Sequence, residues 1–380
     1  MTLLTRNVAE ILPEKSGLEK IIASKKIRVY LGVDPTGTRL HLGHTIPLRK
    51  LNEFAKAGHE AILLFGTGTV LAGDPSQRSS ARAQITQDQI DENIKNWKSQ
   101  VAKVIDLDKV EIKQNGKWLL KLGLPEILDI ASHISAFQLI KRDMFQRRND
   151  AGDMVTTRET LYPLLQGYDS VAMDVDLEIG GTDQTFNMLI GRELQKKMKN
   201  REKWVLTTPL INGTDGKPMS KSTGNCIWLD DSPQDMFGKI MAIADSEIEP
   251  YWINLTNLPK GNLQDLKPMD AKKKLAAEIV ETYHGESEAK NAQNQFELLF
   301  QKGGVSNTIP EIELREPAVE LVDFLVKNNL APSKSEAKRL ISQGAVEIDS
   351  QTVDEDEVQF TNNQVLRVGK HKFVKITIKS

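Results

Sequence analysis

The sequence predicts an α/β protein built on an open parallel sheet, and three stretches carry that prediction. Ile27 to Val33, Ala61 to Phe65 and Val175 to Ile179 read as strands, and each runs straight into a turn rich in Gly, Asp or Pro and then a helical pattern. Strands that are mostly apolar on both faces belong inside a layered parallel sheet, and the turns at their carboxyl ends are where such a sheet builds its sites. At 380 residues, 39% hydrophobic and 27% charged, the chain is longer than one ordinary domain needs. Its single cysteine, Cys226, excludes a disulfide scaffold and fits a reducing compartment, so a cytoplasmic location is expected. The first residues carry Glu10, Glu14 and Glu19 without a long apolar core, which argues against a signal peptide, and no apolar run reaches membrane-spanning length. A net charge of -2 argues against a non-specific nucleic-acid coat but leaves local basic patches open.

Taken in order, residues 1 to 26 read as a helical lead-in with an apolar edge of Leu18, Ile21 and Ile22. The first strand breaks at Asp34-Pro35 and Gly37. Its helix, expected at about 43 to 57, must begin near His41, because Pro47 is tolerated only in a first turn. His41 and His44 then share a side, with Gly43 between them, beside the free N–H groups of a helix start, where a phosphate chain can be held. A zinc half-site is the other reading of two histidines so spaced, but His59, His133, His284 and His371 show no ligand spacing, and no resident metal is expected. The second strand opens into Gly66 to Arg78, whose one carboxylate, Asp74, is placed either to hold an ammonium or to act as a turn acid. Gln87 to Val104 reads as helical, Asp106 to Val110 and Glu111 to Ile112 as flanking a short strand, and Ile130 to Phe145 as another helix. In Glu159 to Asp169, Tyr162, Gln166 and Asp169 recur at four and then three positions. This sets a polar line among leucines on one helix face, and such a line needs partners. Late in the chain, Gly216 to Asn225 is a loop of small residues carrying Lys217 and Lys221, compact charges suited to phosphate oxygens in a loop that can close.

His41-Leu42-Gly43-His44 followed by Met219-Ser220-Lys221-Ser222 resembles the paired signatures of class I aminoacyl-tRNA synthetases. The residues between them resemble the bacterial type of tyrosyl-tRNA synthetase. The resemblance implies a Rossmann-like catalytic domain over 1–229, an all-helical domain over 230–310 facing the anticodon region, and a small α+β S4-like RNA-binding domain over 311–380. It implies that L-tyrosine is activated with ATP, Mg2+ travelling with ATP and pyrophosphate, and is then transferred to tRNA(Tyr) by a homodimer. His41, His44 and Lys221, with Lys217 and Thr36, become the catalytic group. Tyr30 and Asp169 meet the tyrosine hydroxyl, Asp74, Tyr162 and Gln166 its ammonium, and Gln184 its carboxylate. ATP falls to Gly32, Asp34, Gly43, Gly181, Asp183, Met219 and Ser220 together with the histidines and Lys221. The adjacent glycines allow adenosine against the backbone, and Asp183 accepts from ribose hydroxyls. Arg78 and Arg82 become guides for the tRNA acceptor end. The chain departs from the family pattern at Pro218, which stands where the second signature has its first lysine; Lys217 lies one place earlier, and its substitution for that lysine is left open. The role of Glu178 is also left open, since the family carries either Gln or Glu there.

Beyond the lysine loop, Ser232-Pro233 reads as cap and first position of a helix, followed by helices over Met269 to Tyr283 and Glu288 to Phe300. Val319 to Lys327 and Ser333 to Gln343 read as helices, the second carrying Lys334, Lys338 and Arg339 toward RNA phosphates. Ala345 to Ile348 reads as a strand, Gln351-Thr352 as a turn, and alternation from Lys372 marks a half-buried strand. Three other classes fit part of this pattern: a tryptophanyl-tRNA synthetase, a small-molecule nucleotidylyltransferase, and a non-catalytic RNA-binding protein derived from a synthetase.

Overall fold

A computed structural model describes residues 3–75, 85–220, 224–300, 311–314, 317–349, 351–355, 357–369 and 372–379. The chain forms two compact units, Met1–Ala289 and Lys290–Ser380.

The first unit is organised by a six-stranded sheet: β1 (Glu10–Leu12), β2 (Arg28–Val33), β3 (Glu60–Phe65), β4 (Val110–Gln114), β5 (Leu177–Gly181) and β6 (Trp204–Thr208), in the spatial order β1-β6-β5-β2-β3-β4. β2 to β6 pair in parallel and β1 closes the edge antiparallel to β6. The order reverses at β2, which lies between β3 and β5, and an open parallel sheet binds ligands in the crevice at such a switch. Tyr30 lies in register with Ile62 on one side and Glu178 on the other, so all three side chains leave the same face of the sheet.

The helices of this unit are α1 (Lys15–Ser24), α2 (Leu42–Lys56), α3 (Thr69–Ala72), α4 (Gln87–Val101), α5 (Gly116–Leu119), α6 (Leu124–Ser132), α7 (Ala136–Ile140), α8 (Asp143–Asp150), α9 (Thr157–Met173), α10 (Thr185–Lys199), α11 (Pro233–Met241), α12 (Ile248–Leu255), α13 (Gly261–Gln264) and α14 (Pro268–His284); α15 (Glu286–Phe300) runs across the division. Thr86 and Gln89 cap α4 reciprocally, and the Ser232 hydroxyl accepts the Asp235 N–H at 3.1 Å, the start that the Ser-Pro pair predicts for α11. α9 and α10 cross where Gly167 meets Gly191: a Cβ on Gly167 would stand 3.1 Å from the Gly191 nitrogen.

Four sequence expectations change, one of them at Gln351-Thr352. Ile130 to Phe145 is not one helix, because Ser135 and Arg142 both adopt extended backbone (ψ 128° and 133°), and the chain restarts as α7 and α8. Glu10–Leu12, read as helical lead-in, is an edge strand too short to show alternation. Val319 belongs to a strand, and the helix begins only at Leu321.

The second unit contains β7 (Glu311–Leu314), β8 (Ala318–Glu320), α16 (Leu321–Lys327), α17 (Lys334–Ser342), β9 (Val346–Ile348), β10 (Gln351–Thr352), β11 (Glu357–Gln359), β12 (Val365–Val368) and β13 (Lys372–Ile378). Gln351-Thr352, read as a turn, pairs with β9. Five strands form a sheet in the order β10-β9-β12-β13-β7, while β8 pairs with β11. Leu321, Leu325, Val346, Leu366 and Ile376 fill its core, and the Ser333 hydroxyl caps α17 by accepting the Glu336 N–H at 3.2 Å.

Candidate active site

The turn from β2 to α2 is held from outside. Along one face of α4, Asn93, Trp97 and Gln100 donate to the carbonyls of Pro35, Gly37 and Thr38, and the Gln100 side-chain carbonyl accepts the Leu40 N–H at 2.8 Å. The backbone is thereby fixed before α2 begins. His41 caps that helix, and His44 Nδ1 accepts the His41 backbone N–H at 3.2 Å. A neutral imidazole that accepts at Nδ1 carries its proton on Nε2, so His44 presents a donor at the far side of its ring. The two rings stand 3.9 Å apart, tilted by 53°. A Cβ on Gly43 would lie 3.0 Å from His41 Nδ1, so the room the glycine leaves is taken by the capping imidazole.

The segment that follows the lysine loop meets this turn directly. Leu42 N–H donates to Ile227 O and Leu229 N–H to Leu40 O, both at 2.9 Å, while Arg39 reaches Asp230 and Asp231 and lies over the Trp228 ring. The first motif therefore shares a backbone seam with the segment just beyond the second. Inside the loop, Asn225 Nδ2 donates to Asp215 at 2.7 Å and to the carbonyls of Lys217 and Pro218, and Asn225 Oδ1 accepts the Ser220 N–H. Met219 is buried and Lys217 is exposed, its carbonyl accepting the Gly213 N–H. Lys221, Arg78 and Arg82 lie outside the described residues.

A polar line runs from α9 across the strand ends. Asp169, 2% exposed, accepts from Trp118 Nε1 at 2.8 Å and Asn115 Nδ2 at 3.0 Å. Burial pushes its carboxyl well above the ordinary range, while these two donors pull the other way. Asn115 Nδ2 also donates to Thr69 Oγ1, which donates to Asp34 Oδ1 at 2.7 Å, and Tyr162 donates to Asp34 Oδ2 at 3.0 Å. Asp34, expected at the nucleotide, thus sits with the residues expected at the amino acid. Gly66 makes room for it, since a Cβ there would fall 1.8 Å from Asp34 Oδ1. Burial, then Asp34 and Asp74, push the Tyr162 phenol up, so two carboxylates converge on Tyr162 and favour a cation there.

On the opposite side, Gln184 Nε2 donates to Asp74 at 2.9 Å and to Asp183 at 3.0 Å, and Asn187 holds the Gln184 carbonyl. Asp183 packs into the Gly181 turn at the end of β5. Gln166 Nε2 donates to Glu178 Oε1 at 3.0 Å, and Tyr30 shares a hydrogen bond with Ser170 at 3.0 Å. Gly32 lies exposed at the end of β2, and the Thr36 N–H donates to Asp34 O. Tyr30, Asp34, Asp74, Tyr162, Gln166, Asp169, Asp183 and Gln184 are thus gathered along the carboxyl ends of β2, β3 and β5 and the face of α9. Sequence reasoning missed Thr69, Asn115, Trp118, Ser170, Lys203 and Asn225. Among the described residues, no group of three or more His, Cys, Asp or Glu is arranged to hold a metal ion.

With its histidine-capped α2 sewn to the segment that follows the lysine loop, the chain falls among the class I aminoacyl-tRNA synthetases. Residues 23–301 match the family model for tRNA synthetases class I (W and Y), and residues 301–376 match the SYY-like C-terminal domain of tyrosine–tRNA ligases. Over 99% of its length the chain is 41% identical to the tyrosine–tRNA ligase of Thermotoga maritima, covering 96% of that protein. It is 40% identical to that of Moorella thermoacetica, covering 99% of this chain and 95% of the relative. A solved structure of a C-terminally truncated Aspergillus nidulans mitochondrial tyrosyl-tRNA synthetase superposes with a TM-score of 0.66 at 25% identity, covering 77% of this chain and 91% of the other. The chain belongs to the tyrosine–tRNA ligase family.

Proposed function

We infer that the tyrosine–tRNA ligase activity of this chain is carried out by the residues gathered at the β2 and β5 strand ends. The observation that supports this reading is the seam joining Leu40–Leu42 to Ile227–Leu229, which brings the helix start capped by His41 to the segment that follows the lysine loop. The tyrosine hydroxyl lies between Tyr30 and Asp169, its ammonium among Asp74, Tyr162 and Gln166, and its carboxylate near Gln184. That carboxylate attacks the α-phosphorus of ATP: an oxygen–phosphorus bond forms, the α–β bridging bond breaks, and pyrophosphate leaves with Mg2+. The carboxylate is already ionised, so no protein base is needed. Positioning and charge stabilisation by His41, His44, Lys221 and Lys217, with Thr36 nearby, supply the rate. Gly32, Gly181, Asp183, Met219 and Ser220 hold the nucleotide. A hydroxyl of the terminal tRNA adenosine then attacks the carbonyl of the adenylate, and AMP departs. Aminoacylation of tRNA(Tyr) with labelled tyrosine tests the whole sequence, and no tyrosine on the RNA would refute it.

The three segments 1–229, 230–310 and 311–380 divide the work into activation, packing toward the anticodon region, and RNA binding in the S4 manner. On α17, Lys334 pairs with Asp323 and Arg339 with Glu336, both exposed. Such surface pairs are worth little and can be exchanged for phosphates, and Lys338 is exposed on the same helix. Arg78 and Arg82 guide the acceptor end. Removing residues from Glu311 onward is expected to leave tyrosine-dependent pyrophosphate exchange intact and to lower kcat/KM for tRNA charging about tenfold or more, the loss of one or two charge-assisted contacts. Loss of exchange in a folded truncation would assign the tail to support of the catalytic unit.

We further propose a homodimer. Leu124 (68% exposed), Phe137 (75%) and Met154 (73%) stand out with Leu120, Leu128 and Ile140 on α6 to α8 and their connections, a run of large apolar side chains that a second copy would cover. Phe137→Asp is expected to cost the association about 2 kcal/mol or more and to shift sedimentation toward monomer; an unchanged distribution would place the interface elsewhere. Among the described residues no helix is long and apolar enough to cross a membrane, and we propose a cytoplasmic location.

A further inference from the structure

Behind the Tyr30 hydroxyl lies a buried set of groups that the reaction does not use directly. Lys203, just before β6 and 0% exposed, contacts Glu178 Oε2 and donates to Ser170 Oγ at 2.8 Å. Ser170 Oγ in turn lies 3.0 Å from the Tyr30 hydroxyl, where either atom can donate. The other Glu178 oxygen accepts from Gln166. Gly191 makes room for the arrangement: a Cβ there would stand 2.6 Å from Lys203 Nζ and 2.9 Å from Ser170 Oγ. A buried lysine and carboxylate cost desolvation that their attraction only partly returns, so their presence beneath a binding pocket asks for a reason other than stability.

We propose that Lys203 sets the direction of the hydrogen-bond chain ending on Tyr30, so that Tyr30 turns its proton toward the substrate phenol. Lys203 is a positioning residue, and the inference rests on the reading of Tyr30 as a contact of the tyrosine hydroxyl. A phenol has one proton, and the Asn115 and Trp118 donors, which oppose the effect of burial on Asp169, favour the carboxylate form that takes it. The phenol oxygen must then accept, so Tyr30 must donate. Tyr30 is free to donate outward only when its own oxygen accepts from Ser170, and Ser170 gives up its proton in that direction when its oxygen is held by a donor. An ammonium is a donor only. Lys203 has a second effect through Glu178, whose charge bears on the Tyr30 hydroxyl and would draw its proton inward. Lys203 and Gln166 each donate to one of its oxygens, so the pull of Glu178 on the Tyr30 proton is weakened rather than removed. The chain thus runs one way, from Lys203 through Ser170 and Tyr30 to the substrate and on to Asp169.

The test compares kcat/KM for tyrosine and phenylalanine in pyrophosphate exchange for Ser170→Ala, for Lys203→Met combined with Glu178→Gln, and for Tyr30→Phe alone and with each. Ser170→Ala keeps the ion pair and removes only the relay. It is expected to lower the tyrosine value about three- to tenfold, leave phenylalanine unchanged, and lose this effect in the Tyr30→Phe background. The Lys203 variant is expected to narrow the tyrosine-to-phenylalanine ratio similarly; should it fail to fold, Ser170→Ala decides. Equal losses for both amino acids, or an unchanged ratio in Ser170→Ala while Tyr30→Phe narrows it, would overturn the proposal and leave the reading of Tyr30 standing. An unchanged ratio in Tyr30→Phe itself would remove that reading and the proposal with it.

Discussion

Phenylalanine is expected to be activated about 10⁴ to 10⁵-fold less efficiently than tyrosine, measured as the ratio of kcat/KM values in pyrophosphate exchange. A hydrophobic pocket gains little from one added or missing group, but a site built to bond a hydroxyl pays twice when the hydroxyl is absent. Asp169 is almost fully buried and already desolvated, and Tyr30 is equally buried. With phenylalanine bound, the carboxylate faces a ring edge and the Tyr30 hydroxyl loses its outward partner, leaving both groups short. Asp169→Ala is expected to damage tyrosine activation most, since it also strands Asn115 and Trp118, whose side chains donate to that carboxylate. Tyr30→Phe keeps the ring volume and removes one hydroxyl. It should cost tyrosine about 0.5–1.5 kcal/mol and phenylalanine much less, narrowing the ratio. An unchanged ratio would mean that Tyr30 does not touch the substrate hydroxyl.

His44→Ala is expected to slow adenylate formation about 10²-fold or more with little change in tyrosine affinity, because its contact forms as charge develops on the transferring phosphorus. The reason lies in the helix start. His44 Nδ1 accepts the His41 N–H, so the helix start fixes the orientation of the ring. The substitution also removes a cap, worth about 1 kcal/mol, so thermal unfolding separates lost stability from lost catalysis. Presteady-state adenylate formation reads the rate directly, and an unchanged rate in a folded variant would assign His44 to structure.

The parallel-sheet core was legible in the sequence because buried strands are written as apolar runs and the turns that follow them as Gly, Asp and Pro. Tyr162, Gln166 and Asp169 were legible for a related reason, their shared spacing on one helix. Their partners were not. Thr69, Asn115 and Trp118 reach Asp169 and Asp34 from the ends of different strands, and no local periodicity connects them. Lys203 follows a surface-like run of Lys and Arg and gives no sign in sequence of being wholly buried. The apolar residues around Phe137 look like the inner stripe of a single helix. Once Ser135 and Arg142 break that helix, several of them face outward, and the surface offered to a second copy becomes visible only then. Lys221, Arg78 and Arg82, expected at the phosphates and the RNA, lie outside the described residues.

The most direct test of the account is ATP–pyrophosphate exchange measured with each of the twenty amino acids. The pocket of Tyr30 and Asp169, the acids around Tyr162 and the paired histidines together predict exchange with tyrosine alone, and a background signal with phenylalanine and tryptophan. Exchange supported by tryptophan would contradict the assignment of Asp169 as a phenol acceptor, and exchange with none of the twenty would contradict the account of activation.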